Sequence, residues 1–483
     1  MLDFIKQHKK GTALLVGLIL FAFFNFLNPL QLDDKAKLVL SCGIMIITWW
    51  ILEAMPLAVV ALVPIVLFPI LGISPIKEVS KSYADSIIFL FMGGFFIGIA
   101  IEKWHLHKRI ALTIINITGT NGNKIILGFI LATGLLSMWL SNTATAMMMA
   151  TIAVPVISVI VSHNEESKGL KNFSLVLMLC IAYASNFGGI ATIIGTPPNV
   201  AFVNHINEKF NYEISFVRWM IIFIPLSILL LLSLYVVLTK WLFPNDIKHS
   251  LEGKLYIKTE LQNLGKLSVS EKRVLLVFCS TIFLWVSKDI INSVQQFIKL
   301  DDTIIALVGA ISLFIIPSEK KGENLLEWTD TTKMAWGILL LFGGGIAVAT
   351  ALENANLMNQ LGSYIATFAS GNIFILILVV TTISVFLSEV MSNIAQVIVM
   401  APVISSIAVA LHLDPLLLGI PMTLGASCAG MLPMGTPPNA IVFASGHIKM
   451  KDMIKAGFIL NIVCIVFITL FCSLLLPLVI SMK

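Results

Sequence analysis

Two short polar runs interrupt long apolar stretches of this sequence. Ser141-Asn142-Thr143-Ala144-Thr145 lies in the middle of the apolar stretch 125–162, and Ser392-Asn393-Ile394-Ala395-Gln396 in the middle of 373–411. A third motif, Gly195-Thr196-Pro197-Pro198-Asn199, recurs whole as Gly435-Thr436-Pro437-Pro438-Asn439. Hydroxyls and carboxamides of this kind offer oxygen ligands to a hard cation and hydrogen-bond donors to an anion. Paired prolines withhold two backbone donors and disrupt a helix, which frees carbonyls and helix ends nearby. Free helix N-termini attract anions, and free carbonyls suit a cation such as sodium. Ser and Asn also cap helices well. Capping alone leaves unexplained why each copy of the polar tip is accompanied by a copy of the proline break.

Charge is missing where these motifs lie. No Asp, Glu, Lys or Arg occurs between Lys124 and Glu165, between Lys171 and Glu208, or from Pro415 to Ser445, and the second hairpin stretch holds only Glu389. An anion bound by these elements meets no Lys or Arg in them. Its charge must be met by helix dipoles, hydrogen bonds or co-bound cations.

The elements that must position the motifs are membrane helices. The chain has 483 residues, 58% hydrophobic and 12% charged, with a mean hydropathy of +0.97, whereas soluble domains carry about 25% charged residues. At about 20 apolar residues per crossing, spans are expected near 12–29, 36–53, 55–73, 87–102, 174–204, 215–243, 274–290, 303–317, 335–352, 415–445 and 456–480. The stretches 125–162 and 373–411 read as re-entrant hairpins, each nearly two short helices long with a break too polar to face lipid. The fold class is therefore all-α and polytopic, with about eleven transmembrane helices plus two hairpins. The net charge of +5 is a matter of topology and not of a nucleic-acid partner. Most Lys and Arg fall on the side of the bilayer that holds the N-terminus, which places that end inside and the C-terminus outside. The run 12–29 is too long for a signal peptide core and reads as the first span.

The motifs also form a repeat. Gly93-Gly94 matches Gly344-Gly345, Glu102 matches Glu353, and Ser141-Asn142 matches Ser392-Asn393, all at one constant offset. In this topology the two units begin with spans of opposite direction, so the repeat is inverted and implies a site near the bilayer midplane.

Other polar features read more blandly. His105 and His107, among Lys103, Lys108 and Arg109, are expected to form a solvated interfacial cluster. Glu389 can relay protons, cap or pair. Gly343-Gly344-Gly345 suits close helix packing, the segment 244–273 reads as a cytoplasmic interfacial linker, and the six cysteines read as small core residues. No metal-ligand spacing or nucleophile motif supports a membrane-embedded enzyme, and nothing implies an organic cofactor. An ion channel is a further alternative, separated from a carrier by its throughput.

Taken together, Glu53-Ala54-Met55-Pro56, both Ser-Asn tips, both Gly-Thr-Pro-Pro-Asn breaks and their order resemble the divalent anion:sodium symporter family over nearly the whole chain. The resemblance implies a carrier of dicarboxylates (succinate, malate, fumarate, 2-oxoglutarate) coupled to sodium, with a sodium-independent exchanger as the alternative within the family. It further implies a homodimer in the cytoplasmic membrane whose transport domain moves against a scaffold by an elevator mechanism. On that pattern, residues 1–124 form scaffold helices, 125–204 the first transport half, 205–372 a linker with scaffold helices, 373–445 the second transport half and 446–483 a C-terminal helix. Sodium is expected at Ser137, Ser141, Asn142 and the Gly189 backbone, and again at Ser388, Asn393 and the backbone near Met391 and Ala429. Substrate is expected at Ser141, Asn142, Thr143, Asn393 and Thr436, with Thr196 as the symmetric candidate. Ile394 stands where the family often has Thr, which removes a hydroxyl from the expected site.

Overall fold

The computed structural model describes residues 2–29, 31–119, 121–162, 168–245, 247, 251–295, 297–357 and 372–481. Among them the architecture is all-helical, and the single β-type contact is an isolated bridge between Pro317 and Asn324. The helices in chain order begin with α1 (Leu2–Ala22), α2 (Asp34–Ile51), α3 (Leu57–Val60), α4 (Val63–Ile70), α5 (Ile76–Lys81), α6 (Ser86–Lys103) and α7 (Leu106–Thr118). The first polar motif lies between α8 (Gly122–Ser137) and α9 (Asn142–Ser162), followed by α10 (Lys168–Gly189), α11 (Pro197–Phe210) and α12 (Phe216–Val236). Next come α13 (Leu251–Asn263), α14 (Val269–Val294), α15 (Asp302–Ile315) and α16 (Trp336–Asn354). The second motif lies between α17 (Ile373–Leu387) and α18 (Asn393–Ala410), followed by α19 (Pro415–Ala426), α20 (Pro437–Ala444) and α21 (Met450–Ser481).

Polar residues start these helices. Asp33, Asp85, Asn121, Ser215, Ser268, Asp301, Asn372 and Asp414 each accept a hydrogen bond from a first-turn N–H, and Ser268 with Glu271 forms a complete capping box. Among the described residues, eight helical stretches are long and apolar enough to cross a bilayer. Shorter apolar helices form the first arm of each hairpin, α8 and α17, and the first part of the second broken span, α19. Three details differ from expectation. The expected span 55–73 is two short helices, α3 and α4, because Pro56, Pro64 and Pro69 punctuate it. The second arms of the hairpins are longer than expected, 21 residues in α9 and 18 in α18. Two helices are additional: α7 lies where no span was expected and α13 within the expected linker; α13 is polar, and α7 alternates buried Leu112 and Ile115 with exposed residues.

Of the histidine pair, His105 is exposed as expected and His107 departs from expectation. His107 is buried under α6, where its Nδ1 lies 3.1 Å from Ile101 O. Burial holds its pKa below the usual imidazole range, although the Ile101 carbonyl and Glu102 pull the other way. Arg109, two residues on in α7, reaches Glu271 through Nε at 2.8 Å and Nη2 at 3.0 Å, tying α7 to the start of α14. Of the cysteines, five are buried as expected and Cys279 is exposed.

Lipid gives helices little hydrophobic reason to associate, so close approach of small residues does much of the packing. A Cβ on Gly344 would lie 2.5 Å from the Ala61 carbonyl oxygen, which explains the glycine run in α16. The same device holds the first hairpin: a Cβ on Gly188 in α10 would lie 2.3 Å from Gly134 O in α8. One small apolar core joins α2 to α4 with α16, and a larger one holds the motif-bearing helices.

Candidate functional site

Each half of the site is built from two helix interruptions placed side by side. In the first half α10 stops at Gly189 and the chain resumes as a helix only at Pro197. The break therefore precedes the prolines. Pro197 and Pro198 occupy the first helical positions of α11, where a missing N–H costs nothing, so their role is to restart the helix and not to kink it. Asn199 fastens the unwound turn: its Nδ2 donates to Thr192 O at 2.8 Å, Ile190 O at 3.3 Å and Gly189 O at 3.4 Å. Asn439 repeats this in the second half, donating to Leu432 O at 3.1 Å and Ala429 O at 3.2 Å. The duplicated motif is thus a prefabricated break, with its asparagine as the clasp.

Oxygen collects where hairpin and break meet. Ser137 Oγ donates to Asn142 Oδ1 at 2.7 Å. Turned by half a rotation, the Asn142 amide nitrogen would instead sit 3.0 Å from Ser185 O, 3.2 Å from Gly195 O and 2.7 Å from Ser137 Oγ. With the amide oxygen in that place, four oxygens meet with one proton among them. Either an amide rotation or a small hard cation relieves the repulsion. Gly189 leaves the space for this cluster, since a Cβ there would lie 2.5 Å from Asn142 Oδ1 and 3.0 Å from Gly195 O. The second half matches: Ser388 Oγ lies 2.8 Å from Asn393 Oδ1 and 2.6 Å from Ala426 O.

The expected residues therefore gather as two clusters. Ser137, Asn142 and Gly189 join the first, with the Ser141 hydroxyl capping α9 by accepting from Ala144 N at 3.3 Å. Ser388 and Asn393 form the second, with Met391 buried in the hairpin turn and the Ala429 carbonyl held by Asn439. Thr196 and Thr436 are both 2% exposed at the starts of α11 and α20, more enclosed than the half-buried tips at Ser141, Asn142, Thr143, Asn393 and Ile394. Ser392, unlike Ser141, makes no side-chain cap.

Sequence reasoning missed Asn186. Asn142 Nδ2 lies 3.4 Å from both Thr196 Oγ1 and Asn186 Oδ1, and Asn186 Nδ2 donates to Thr436 Oγ1 at 3.3 Å. With the Asn142 amide unrotated, these contacts carry hydrogen bonding from the first tip to the second break. A lone Asn in an apolar helix gives no periodic signal by which to find it. Asn461 in α21 was missed for the same reason, and Thr192 because its partners appear only in the folded turn.

The helix ends sort by sign. Helices α8, α10, α17 and α19 end at the clusters and present partial negative charge, while α9, α11, α18 and α20 begin there and present partial positive charge. A cation and an anion can therefore be held side by side without a cationic side chain.

A family model described as the sodium:sulfate symporter transmembrane region matches residues 8–482. The sodium-dependent dicarboxylate transporter SdcS of Staphylococcus saprophyticus is 39% identical over 473 residues, covering 96% of this chain and 91% of that protein. Its namesake in Staphylococcus aureus is 38% identical over 492 residues, covering 99% and 95%. Among solved structures, the YdaH transporter of Alcanivorax borkumensis aligns with a TM-score of 0.59 at 11% identity, covering 84% of this chain and 89% of that one, a likeness of fold alone.

Proposed function

Because the chain belongs to the sodium:sulfate symporter family, we propose that it is a secondary active transporter that carries small dicarboxylates together with sodium. The observation that carries this reading is the pair of oxygen clusters at the two breaks, assembled from the stretches 125–164, 172–207 and 373–445, which hold no Lys or Arg. Sodium ions occupy the clusters at Ser137, Ser141, Asn142 and Gly189 and at Ser388, Met391, Asn393 and Ala429. The substrate carboxylates meet Ser141, Asn142, Thr143, Asn393 and Thr436, with Thr196 behind the first tip. The names of the full-length staphylococcal relatives support both the dicarboxylate and the sodium dependence.

The energetics favour coupling. Moving a dianion inward against an interior-negative potential costs about 4.6 kcal/mol per 100 mV, at about 2.3 for each charge. Two sodium ions cancel that cost, and a third makes uptake electrogenic. The transporter works as a homodimer in the cytoplasmic membrane, N-terminus inside and C-terminus outside, with hairpins and broken helices moving as an elevator against the remaining helices. Uptake of labelled succinate into proteoliposomes tests the reading: an inward sodium gradient drives accumulation. Uptake that ignores sodium but requires internal dicarboxylate would replace symport by exchange.

A further inference from the structure

Glu389 is the only charged residue of the second hairpin, and it is 4% exposed. Its Oε1 accepts from Gly430 N at 2.8 Å, Met431 N at 2.9 Å and Asn461 Nδ2 at 2.7 Å, and its Oε2 from Leu432 N at 3.1 Å. Three consecutive backbone N–H groups of the unwound turn between α19 and α20 thus close on one carboxylate, in the manner of an anion-binding nest.

The first half does this work without charge. Met138 stands where the repeat puts Glu389. There the Thr192 hydroxyl donates to Met138 O at 2.6 Å and accepts from Gly195 N at 2.9 Å, linking hairpin to break. Other contacts remain equivalent: Trp219 Nε1 donates to Ile190 O at 3.0 Å, and Tyr183 Oη donates to the matching Gly430 O at 2.8 Å. The carboxylate is therefore the charged feature that makes the halves unequal.

We propose that Glu389 is the positioning residue of the second sodium site and that its charge makes this site the tighter of the two, an inference that rests on the transport reading above. The Gly430 N–H belongs to the same planar peptide as the Ala429 carbonyl, so the two point in opposite directions. Binding the N–H to Glu389 turns the carbonyl away from the carboxylate, and Asn439 steadies it from the far side at 3.2 Å. Adjacent in sequence, Ser388 places its hydroxyl on Asn393 and Ala426 O. The same side chain thereby fixes the ligand turn and places a negative charge one residue from a cation ligand. A Cβ on Gly435 would lie 3.0 Å from Glu389 Oε2, so the break fits closely around the carboxylate.

The test is labelled succinate uptake into proteoliposomes as a function of external sodium, for the wild type, E389Q, E389D and N461A. E389Q should raise half-saturating sodium by about tenfold or more and lower the sodium Hill coefficient. The succinate KM at saturating sodium should move far less. N461A keeps the carboxylate and removes one donor, so it should shift sodium in the same direction by a smaller factor. E389D should restore part of the loss. Sodium-induced thermal stabilisation of the purified proteins gives the same ranking without requiring turnover, and N461A carries the test if E389Q does not accumulate. Unaltered sodium half-saturation and Hill coefficient in E389Q would overturn the inference, as would equal shifts in the sodium and succinate constants. Sodium-independent transport by the wild type would overturn the functional reading and this inference together.

Discussion

Replacing Gly189 with alanine probes the first oxygen cluster with a single methyl group. Gly189 closes α10 with an ordinary helical backbone, so alanine brings no conformational strain of its own. Its Cβ would lie 2.5 Å from Asn142 Oδ1 and 3.0 Å from Gly195 O, closer than carbon and oxygen tolerate. Asn142 must therefore withdraw and give up its 2.7 Å contact with Ser137. Losing one oxygen ligand of the ion, taken as comparable to a hydrogen bond to a charged group at about 1.5–3 kcal/mol, lowers sodium affinity by about 10-fold to 150-fold. Overpacking costs about 1–3 kcal/mol of stability, so the protein should still fold. The second half has Ala429 at the matching position, where the Cβ lies 3.3 Å from the Cβ that Gly435 lacks. The second half thus accommodates a methyl group where the first does not. Sodium titration of uptake, paired with sodium-induced thermal shift, measures the effect. A G189A variant with wild-type half-saturating sodium would refute the placement of an ion at this cluster.

Further outcomes follow from other contacts. N142A and N393A should each abolish uptake while leaving a folded protein by size-exclusion chromatography, because each removes an oxygen from its cluster. N199A deletes hydrogen bonds to three carbonyls of the first break and should lower thermal stability by about 2–4 kcal/mol, at about 1 kcal/mol each, with uptake falling further than fold. I394T adds a hydroxyl beside a half-buried tip and should shift selectivity among dicarboxylates more than expression, as competition uptake would record. His107 is held neutral by burial, so its folded-state pKa lies below the unfolded one. Its contribution is therefore complete above about pH 6.5 and fades as pH falls below that value; H107Q should flatten the acid side of a melting-temperature profile.

The breaks and hairpins were legible because polar residues inside apolar runs are costly enough that they must be explained. Duplication then made Ser141-Asn142 and Ser392-Asn393 stand out. What the prolines do was not legible. Sequence places the disruption at Pro197-Pro198, whereas the helix has already ended at Gly189 and the prolines open the next one. Asn199 and Asn439 belong to the visible motif, yet their work as clasps depends on carbonyls that only the folded turn presents. The partners of Glu389 were hidden for the same reason, since backbone N–H groups of an unwound segment leave no mark in composition. Helix α7 escaped because its short apolar face lies between charged residues, which resemble a loop when read linearly.

The central claim is that an anion site made without cationic side chains binds dicarboxylate only beside sodium. Calorimetric titration of succinate into the purified protein, in sodium buffer and in choline buffer of equal ionic strength, tests it most directly. Binding heat in sodium and none in choline is the predicted result. Equal succinate affinity in the two buffers would contradict the account.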